Sequence, residues 1–537
     1  MPIRMRRKYV LTAFLAFAML FGILLPVLGA STGPSIFRYG EKRTGMSYLS
    51  SNIVEPGERW SFDTQSDRVA PALAGDVNND GEEELVFGTS SGMLYVLDKD
   101  GQVVWTFEAE GRLSTPPAIG DVDGDSKNEV VIGGSYYNGG GDPNLYVVNG
   151  EDGTLLWSFS TFDEGALYTK GFECAPSLYD TNDDGKLDVL IGSRNYYFYA
   201  IDGADGSLLW KSQFEHFLRS TSPIGDLDKD GKDEILAVDN HAIVRIFEMD
   251  GSLDWEIIAG YGVAATPIFA DVDGDGYDEI IIFTFGRADR DIPGAPLVYN
   301  HDGSLLWTNE DYLFFYTTPT LADVDGDGLL DIISVDSNDQ VLLAYKGTDG
   351  TILYNTEPFE HNFMGPGMST ADIDGDGETE VLVAAYPNLY SINAADGTVE
   401  WIYDSGGERV GGPLVADLDK DGLAEIFIRI GGNMICLEND FDPNDLLDEI
   451  IEYILKLPDT CFKNNADQRK NSLVNKLEAV RDMINEGDYD GAISKLENDI
   501  RPKMDGEGNN DWIICEDAQE DLTEMIDELV DYLESLQ

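Results

Sequence analysis

The sequence predicts an all-β, eight-bladed β-propeller followed by a small all-α helical bundle. Two observations carry the propeller: an acidic nine-residue loop recurs eight times, and a DG turn leading into a short strand that ends in an aromatic recurs between the copies. An abrupt switch to helical periodicity after residue 440 carries the bundle.

The acidic loops are DVNNDGEEE from Asp76, DVDGDSKNE from Asp121, DTNDDGKLD from Asp180, DLDKDGKDE from Asp226, DVDGDGYDE from Asp271, DVDGDGLLD from Asp323, DIDGDGETE from Asp372 and DLDKDGLAE from Asp417. Their starts lie 45 to 59 residues apart, a period that suits a four-stranded unit and is too long for a solenoid coil. Each copy continues with a β-branched run such as EVVIGG, a second run such as NLYVVN, and then DGQVVW, DGTLLW, DGSLLW, DGSLDW, DGTILY or DGTVEW. Alternation broken by DG turns marks antiparallel hairpins, and four short strands per unit describe a propeller blade.

The eighth unit ends at EIFIRIGG and NMICLEND without an aromatic fourth strand, whereas EPGERWSF precedes the first loop and carries Trp60 in that role. The N-terminal strand is therefore expected to complete the last blade and close the ring, removing its open edges. The propeller spans residues 55–440 on this reading, with Trp60, Trp105, Trp157, Trp210, Trp255, Trp307, Trp401 and Tyr354 packed between neighbouring blades.

The loops predict cation sites. Calcium takes six to eight hard oxygens, which a curled loop supplies from alternate carboxylates plus a backbone carbonyl. The expected ligands at positions one, three, five, seven (carbonyl) and nine are Asp76, Asn78, Asp80, Glu82 and Glu84; Asp121, Asp123, Asp125, Lys127 and Glu129; Asp180, Asn182, Asp184, Lys186 and Asp188; and Asp226, Asp228, Asp230, Lys232 and Glu234. In the second half they are Asp271, Asp273, Asp275, Tyr277 and Glu279; Asp323, Asp325, Asp327, Leu329 and Asp331; Asp372, Asp374, Asp376, Glu378 and Glu380; and Asp417, Asp419, Asp421, Leu423 and Glu425. An EF-hand would need a bidentate Glu at position twelve before a helix, and position twelve of the fifth loop is Ile282 in a strand-like run. Acids and glycines also make ordinary soluble turns, but eight copies in register favour up to eight calcium ions. Asn78, Asn182 and Ser126 mark the copies where occupancy is least expected.

With 537 residues and 42% hydrophobic composition the chain holds ample core for more than one unit. Residues 1–30 place Arg4, Arg6, Arg7 and Lys8 before an apolar run ending in Gly29 and Ala30, the pattern of an export signal that is either cleaved or retained as an anchor. Residues 31–54 read as a linker. A net charge of −66 makes nucleic acid and anionic membrane surfaces poor partners; membrane attachment would come only through an uncleaved leader. In an exported chain Cys461 and Cys515 are the expected disulfide, and Cys174 and Cys436 read as core thiols in buried strands.

The D-x-[DN]-x-D-G-x-x-[DE] loop followed by a short strand and Gly (EVVIGG, DVLIGS) resembles the FG-GAP and VCBS-type repeats of integrin alpha-subunit propellers and of many secreted microbial proteins. The resemblance covers about seven tenths of the chain and implies a calcium-bearing, extracellular recognition or adhesion propeller with its ligand on the face opposite the ions. Integrins have seven blades, and the literal FG and GAP tripeptides are not kept here. The DGxxxW pieces resemble the tryptophan-docking repeats of eight-bladed pyrroloquinoline quinone (PQQ) dehydrogenases; those enzymes hold the quinone on an adjacent Cys-Cys disulfide, a pair this sequence lacks.

Across the ring from the acidic loops, long non-repeating connections carry Tyr136, Tyr137, Tyr168, Arg194, Tyr196, Arg219, Arg287, Tyr312 and Arg409, side chains suited to a glycan or an acidic partner. His216, His241 and His361 map to the same face; His301 maps to the calcium side. A His beside Arg219 and Asp239 is also suited to proton abstraction next to a sugar carboxylate. The architecture is similar to that of eight-bladed rhamnogalacturonan lyases, so a polysaccharide lyase is the enzyme alternative, and a structural cell-envelope component is a third.

From Asp442 the sequence turns helical. DPNDLLDEIIEYILKLPD opens with Asp442 as N-cap and Pro443 at N1, and three further amphipathic stretches complete a four-helix module over 441–537. KNSLVNKLEAVRDMINEGDYDGAISKLENDIRPK with a downstream DWIIC resembles a small helical module at the C-terminus of secreted archaeal and bacterial proteins, which implies binding or attachment. The leading reading is an exported, non-catalytic, calcium-stabilised propeller that recognises an extracellular glycan or protein.

Overall fold

The computed structural model describes residue 40 and residues 42–535, except 136–143, 162–170, 261, 264, 285–293, 311–317, 337–339, 357–358, 360–366, 441, 486 and 505–510. Its strands form eight antiparallel sheets arranged as the blades of a propeller, followed by a few short helices. Blade 1 shows the plan: Leu73–Gly75 innermost, then Glu84–Gly88, Met93–Leu97 and Val103–Glu108 outermost. The second strand of each blade is buried on both faces, as Glu279–Phe283 is, which is why these segments read as continuous β-branched runs. The outer strands alternate buried and exposed positions.

The ring closes as the sequence predicts. Pro56–Asp63 pairs antiparallel with Asn433–Asn439, placing Trp60 opposite Cys436 in blade 8. Seven of the eight aromatics on the outer strands then dock on the DG glycine of the next blade, while Trp401, facing blade 8, donates its indole N–H to the Ile53 carbonyl (3.0 Å). A Cβ on Gly153 would lie 2.5 Å from the Trp105 ring, and Gly153 has φ +71°, so the turn residue must be glycine for both steric and conformational reasons. Trp105, Trp157 and Trp307 also donate their indole N–H to Gly150, Gly203 and Gly347 carbonyls at 2.6–2.7 Å.

The segment expected as a linker carries more structure than its polar sequence suggests. Met46–Ser50 adds a parallel fifth strand to the inner edge of blade 7. Just before it, the Lys42 carbonyl accepts from Phe269 N–H in blade 5, and Arg43, fully buried, donates to Ser177 Oγ (2.7 Å) and to the Ser222 carbonyl (3.4 Å) on the approaches to blades 3 and 4. Thr44 and Gly45 carbonyls accept from Thr320 and Thr370 of blades 6 and 7. Touching the inner edges of blades 3 to 7, this segment lies on the axis of the ring.

The helices are Pro443–Lys456, Ala466–Asn485, Tyr489–Lys495 and Glu516–Ser535. Asp442 caps the first by accepting from Asn444 N–H at 2.7 Å, and Pro443 stands at its start. The third is regular only to Lys495; a π turn over Leu496–Ile500 and a 3-10 turn over Arg501–Lys503, which holds Pro502, follow it. Leu447, Ile450, Leu477, Leu522 and Leu529 are among the residues of their shared core. Cys461 and Cys515 form a disulfide, and Cys436 is buried in a strand; Cys174, expected in a strand, is buried in a bend ahead of Ser177–Tyr179. Among the described residues no helix is long and apolar enough to cross a membrane.

Candidate metal centres and the opposite face

The acidic loops join the first and second strands of every blade, so all eight lie on one face of the ring. Blade 5 shows their internal geometry. Asp271 Oδ1 accepts from Gly274 N–H (2.8 Å), Asp273 Oδ1 from Asp275 N–H (3.0 Å), and Asp275 Oδ1 from Tyr277 N–H (2.8 Å). The loop thus curls around its own carboxylates, and the second oxygens stay available. Glu279, fully buried, uses Oε2 to accept from Val272 N–H (2.9 Å) while Oε1 is buried with no hydrogen-bond partner.

The same wiring recurs in all eight loops. The position-nine carboxylate accepts from the position-two N–H in Glu84, Glu129, Asp188, Glu234, Asp331, Glu380 and Glu425 as in Glu279. The position-seven N–H of Glu82, Lys127, Lys186, Lys232, Leu329, Glu378 and Leu423 donates to the position-five Asp. The substituted copies keep the turn: Asn78 and Asn182 accept from Asp80 and Asp184 N–H, and Ser126 adopts φ +71°, the left-handed geometry of the glycine it replaces.

Three carboxylate oxygens converge to within 4.8 Å of one another in the groups Asp121, Asp123, Glu129; Asp226, Asp228, Asp230; Asp271, Asp273, Glu279; Asp323, Asp325, Asp331; and Asp372, Asp374, Asp376. Buried, unpartnered oxygens occur on Asp76, Asp226, Asp417, Glu279 and Glu380. A buried carboxylate oxygen without a donor is costly. Burial, reinforced by neighbouring aspartates, pushes Glu84, Glu129, Glu234, Glu279 and Glu425 up to about 7 and Glu380 up to about 9. These donors are all hard oxygens, and a divalent cation at their focus would relieve both penalties; the residues present fit calcium.

Two loops receive a basic side chain from outside on their ligand carboxylates, whereas in blade 5 Lys42 pairs with Asp278 at position eight, which is not a ligand position. In blade 6, Lys346 Nζ donates to Asp325 and to Asp327 Oδ2 (2.7 Å). In blade 8, Arg59 of the closing strand reaches Asp419 Oδ2 (2.8 Å) and Glu425 Oε1 (3.3 Å). Neither residue was legible as part of a site, because each reaches the acids from a different strand. Glu400, on the outer strand of blade 7, adds a further carboxylate whose pKa burial and Asp374 raise to about 7. His301 stacks on Tyr277 at 4.1 Å, on the side of the acidic loops.

On the other face, five of the expected ligand-face residues come together where blades 3 and 4 meet. His216 stacks on His241 with centroids 4.0 Å apart and faces Tyr196 at 5.7 Å. Arg194 and Arg219 lie over the Phe217 ring at 5.3 and 4.7 Å and share Glu173, with Arg219 Nε to Glu173 Oε2 at 2.9 Å. Asp239 is buried and accepts from the His216, His241 and Ile243 N–H groups at 2.9–3.0 Å, so it fixes the backbone that presents both histidines. Burial, with His241 close by, lowers the His216 pKa, and His216 Nδ1 is buried without a partner. Glu173 and Phe217 had no sequence signal of their own.

Arg409 belongs elsewhere: its carbonyl accepts from Gly431 N–H, near Arg429 at the seam of the ring. Tyr136, Tyr137, Tyr168, Arg287, Tyr312 and His361 lie outside the described residues.

The family profile for FG-GAP-like repeats matches residues 226–282 and 323–383, and the profile described as outer membrane protein assembly factor BamB matches residues 54–171. A comparison with curated proteins found no match. Among solved structures, quinohemoprotein alcohol dehydrogenase from Comamonas testosteroni is 13% identical with a TM-score of 0.53, covering 81% of this chain and 91% of that one. A europium-containing methanol dehydrogenase is 11% identical with a TM-score of 0.51, covering 75% and 90%. BamB from Moraxella catarrhalis is 13% identical with a TM-score of 0.49, covering 72% and 99%. At such identities the likeness concerns the fold alone. The chain carries FG-GAP-like repeats and a BamB-like, PQQ-type repeat region on one eight-bladed propeller.

Proposed function

We propose that this protein is an exported, calcium-stabilised recognition propeller, acting outside the cell on a glycan or a protein without catalysing a reaction. The observation that supports it is the set of buried, unpartnered carboxylate oxygens repeated around one face, each held in place by its own backbone hydrogen bond. Ions at these loops would pin the turn between the two inner strands of each blade. At ten times its dissociation constant, each ion would contribute about 1.4 kcal/mol. The acidic face is then scaffold, and recognition belongs to the other face, where the connections do not repeat. The helices are an accessory attachment module in this reading.

The placement of His216 next to Arg219 and Arg194 supports a second reading, a lyase acting on acidic polysaccharide, with an imidazole as base and guanidinium groups on the sugar carboxylate. An array of glycans and extracellular proteins, probed with and without calcium, separates the two. Calcium-dependent retention of a ligand left chemically intact supports recognition; appearance of unsaturated sugar products supports the lyase and overturns the first reading.

A further inference from the structure

We propose that the surface where blades 3 and 4 meet, on the face opposite the acidic loops, binds a carboxylate-bearing sugar, with Tyr196 and His216 as the ring platform and Arg219 and Arg194 as the carboxylate clamp. The inference rests on the reading of that face as a recognition face and names its ligand class.

Comparison of blade 3 with blade 1 singles the site out. The connections run on the same backbone hydrogen bonds: Ala109 N–H to the Gly92 carbonyl and Leu113 N–H to Thr89 in one, Phe214 N–H to the Tyr196 carbonyl and Leu218 N–H to Ser193 in the other. Station by station, Tyr196 stands where blade 1 has Gly92, His216 where it has Gly111, Arg194 where it has Ser90, and Arg219 where it has Ser114. Small residues suffice to build this corner, so the large side chains of blade 3 are not required by the fold.

Tyr196 is also in the wrong conformation for its type. Its φ of +74° lies in the left-handed region, where blade 1 uses Gly92 at +91°. The turn itself imposes this geometry, since Ala242 and Gln340 adopt φ +61° and +59° at the same station of blades 4 and 6; an aromatic ring is the bulkiest of these occupants, and such strain is retained where the side chain has a use. The strained turn points to a ring kept beside His216, forming a column with His241.

The donors around this column are under-used. Glu173 takes Arg219 Nε and one nitrogen of Arg194, leaving the Nη groups of Arg219 without a hydrogen bond among the described residues. Arg194 Nε and His216 Nδ1 are buried and unpartnered. An arginine fork matches a carboxylate, and an aromatic face matches the C–H face of a pyranose ring. A chain of net charge −66 repels long polyanions, so binding needs this short-range geometry and suits single or spaced acidic sugars.

The test is titration calorimetry of the full chain in calcium with trigalacturonate, its methyl ester and an acetylated tri-glutamate peptide. We expect trigalacturonate to bind, its ester to bind at least tenfold more weakly, and Arg219→Gln to weaken trigalacturonate at least tenfold. Tyr196→Gly should weaken it at least fivefold while leaving the melting temperature equal or higher, an outcome a purely structural tyrosine would not give. Absence of trigalacturonate binding, equal binding of the ester, or unchanged affinity in both variants would overturn the proposal; tri-glutamate binding as tight as trigalacturonate would overturn its sugar component. Melting the same samples with chelator keeps the scaffold reading separate: binding that persists in a protein whose melting ignores calcium would sink that reading alone.

Discussion

Blades 5 and 6 open their acidic loops with the same six residues, DVDGDG, yet present different electrostatic surroundings. In blade 5 the buried Glu279 Oε1 has no partner and its pKa is pushed up to about 7, and the nearby Lys42 pairs with Asp278 at position eight, so no ammonium group reaches the ligand carboxylates among the described residues. In blade 6 Lys346 brings an ammonium group to Asp325 and Asp327. The difference comes from one station at the end of the third strand, where blades 1 to 7 carry Asp98, Asn149, Asp202, Glu248, Asn300, Lys346 and Asn393. The loop motif therefore sets the cage, while a residue outside it sets how much charge an incoming ion finds unmet. Blade 8 repeats the lesson with Arg59.

The largest effect should follow from cutting the open site at its anchor. Glu279→Ala removes a ligand and orphans the Val272 N–H, which together should cost about 2–4 kcal/mol in denaturant unfolding in calcium. Glu279→Gln keeps an acceptor for that N–H and should lose only the calcium-dependent part, about 1–2 kcal/mol, and nothing further in chelator. Next, the comparison can be inverted. Asn300→Lys should close blade 5 and lower the number of bound calcium ions by one in equilibrium dialysis, whereas Lys346→Met should open blade 6, tightening its site and making stability more sensitive to chelator. Unchanged ion counts in both would show that the third-strand station does not matter. The smallest effect belongs to the exposed pair Lys127–Glu151 beside the blade 2 loop: Lys127→Ala should leave both melting temperature and ion count unchanged within error.

The two faces also differ in how far they could be read from sequence. Loop positions one to nine are local, so spacing alone exposed Asp271, Asp273, Asp275 and Glu279, and the DG glycines and aromatics reported ring docking because every blade repeats that contact. What escaped was the hydrogen bond from position two that makes Glu279 an anchor as well as a ligand, since a backbone donor leaves no trace in residue identity. Lys346 and Arg59 escaped because they join their loops through the ring's geometry, in Arg59's case across 360 residues. The axial strand Met46–Ser50 was read as linker because half of it is polar and Tyr48 is exposed; its place is dictated by threading through the ring and by the buried Arg43. The cluster of Tyr196, His216 and Arg219 was visible only as unusual residues in non-repeating loops, with Glu173 supplied by the neighbouring blade.

Calcium stabilisation is measured most simply by the melting temperature of the full chain followed against free calcium, from excess chelator to the millimolar range. If calcium holds the blades, the melting temperature rises with the logarithm of calcium concentration and magnesium at the same concentration does not reproduce the rise. A melting temperature indifferent to chelator and to calcium would contradict that role.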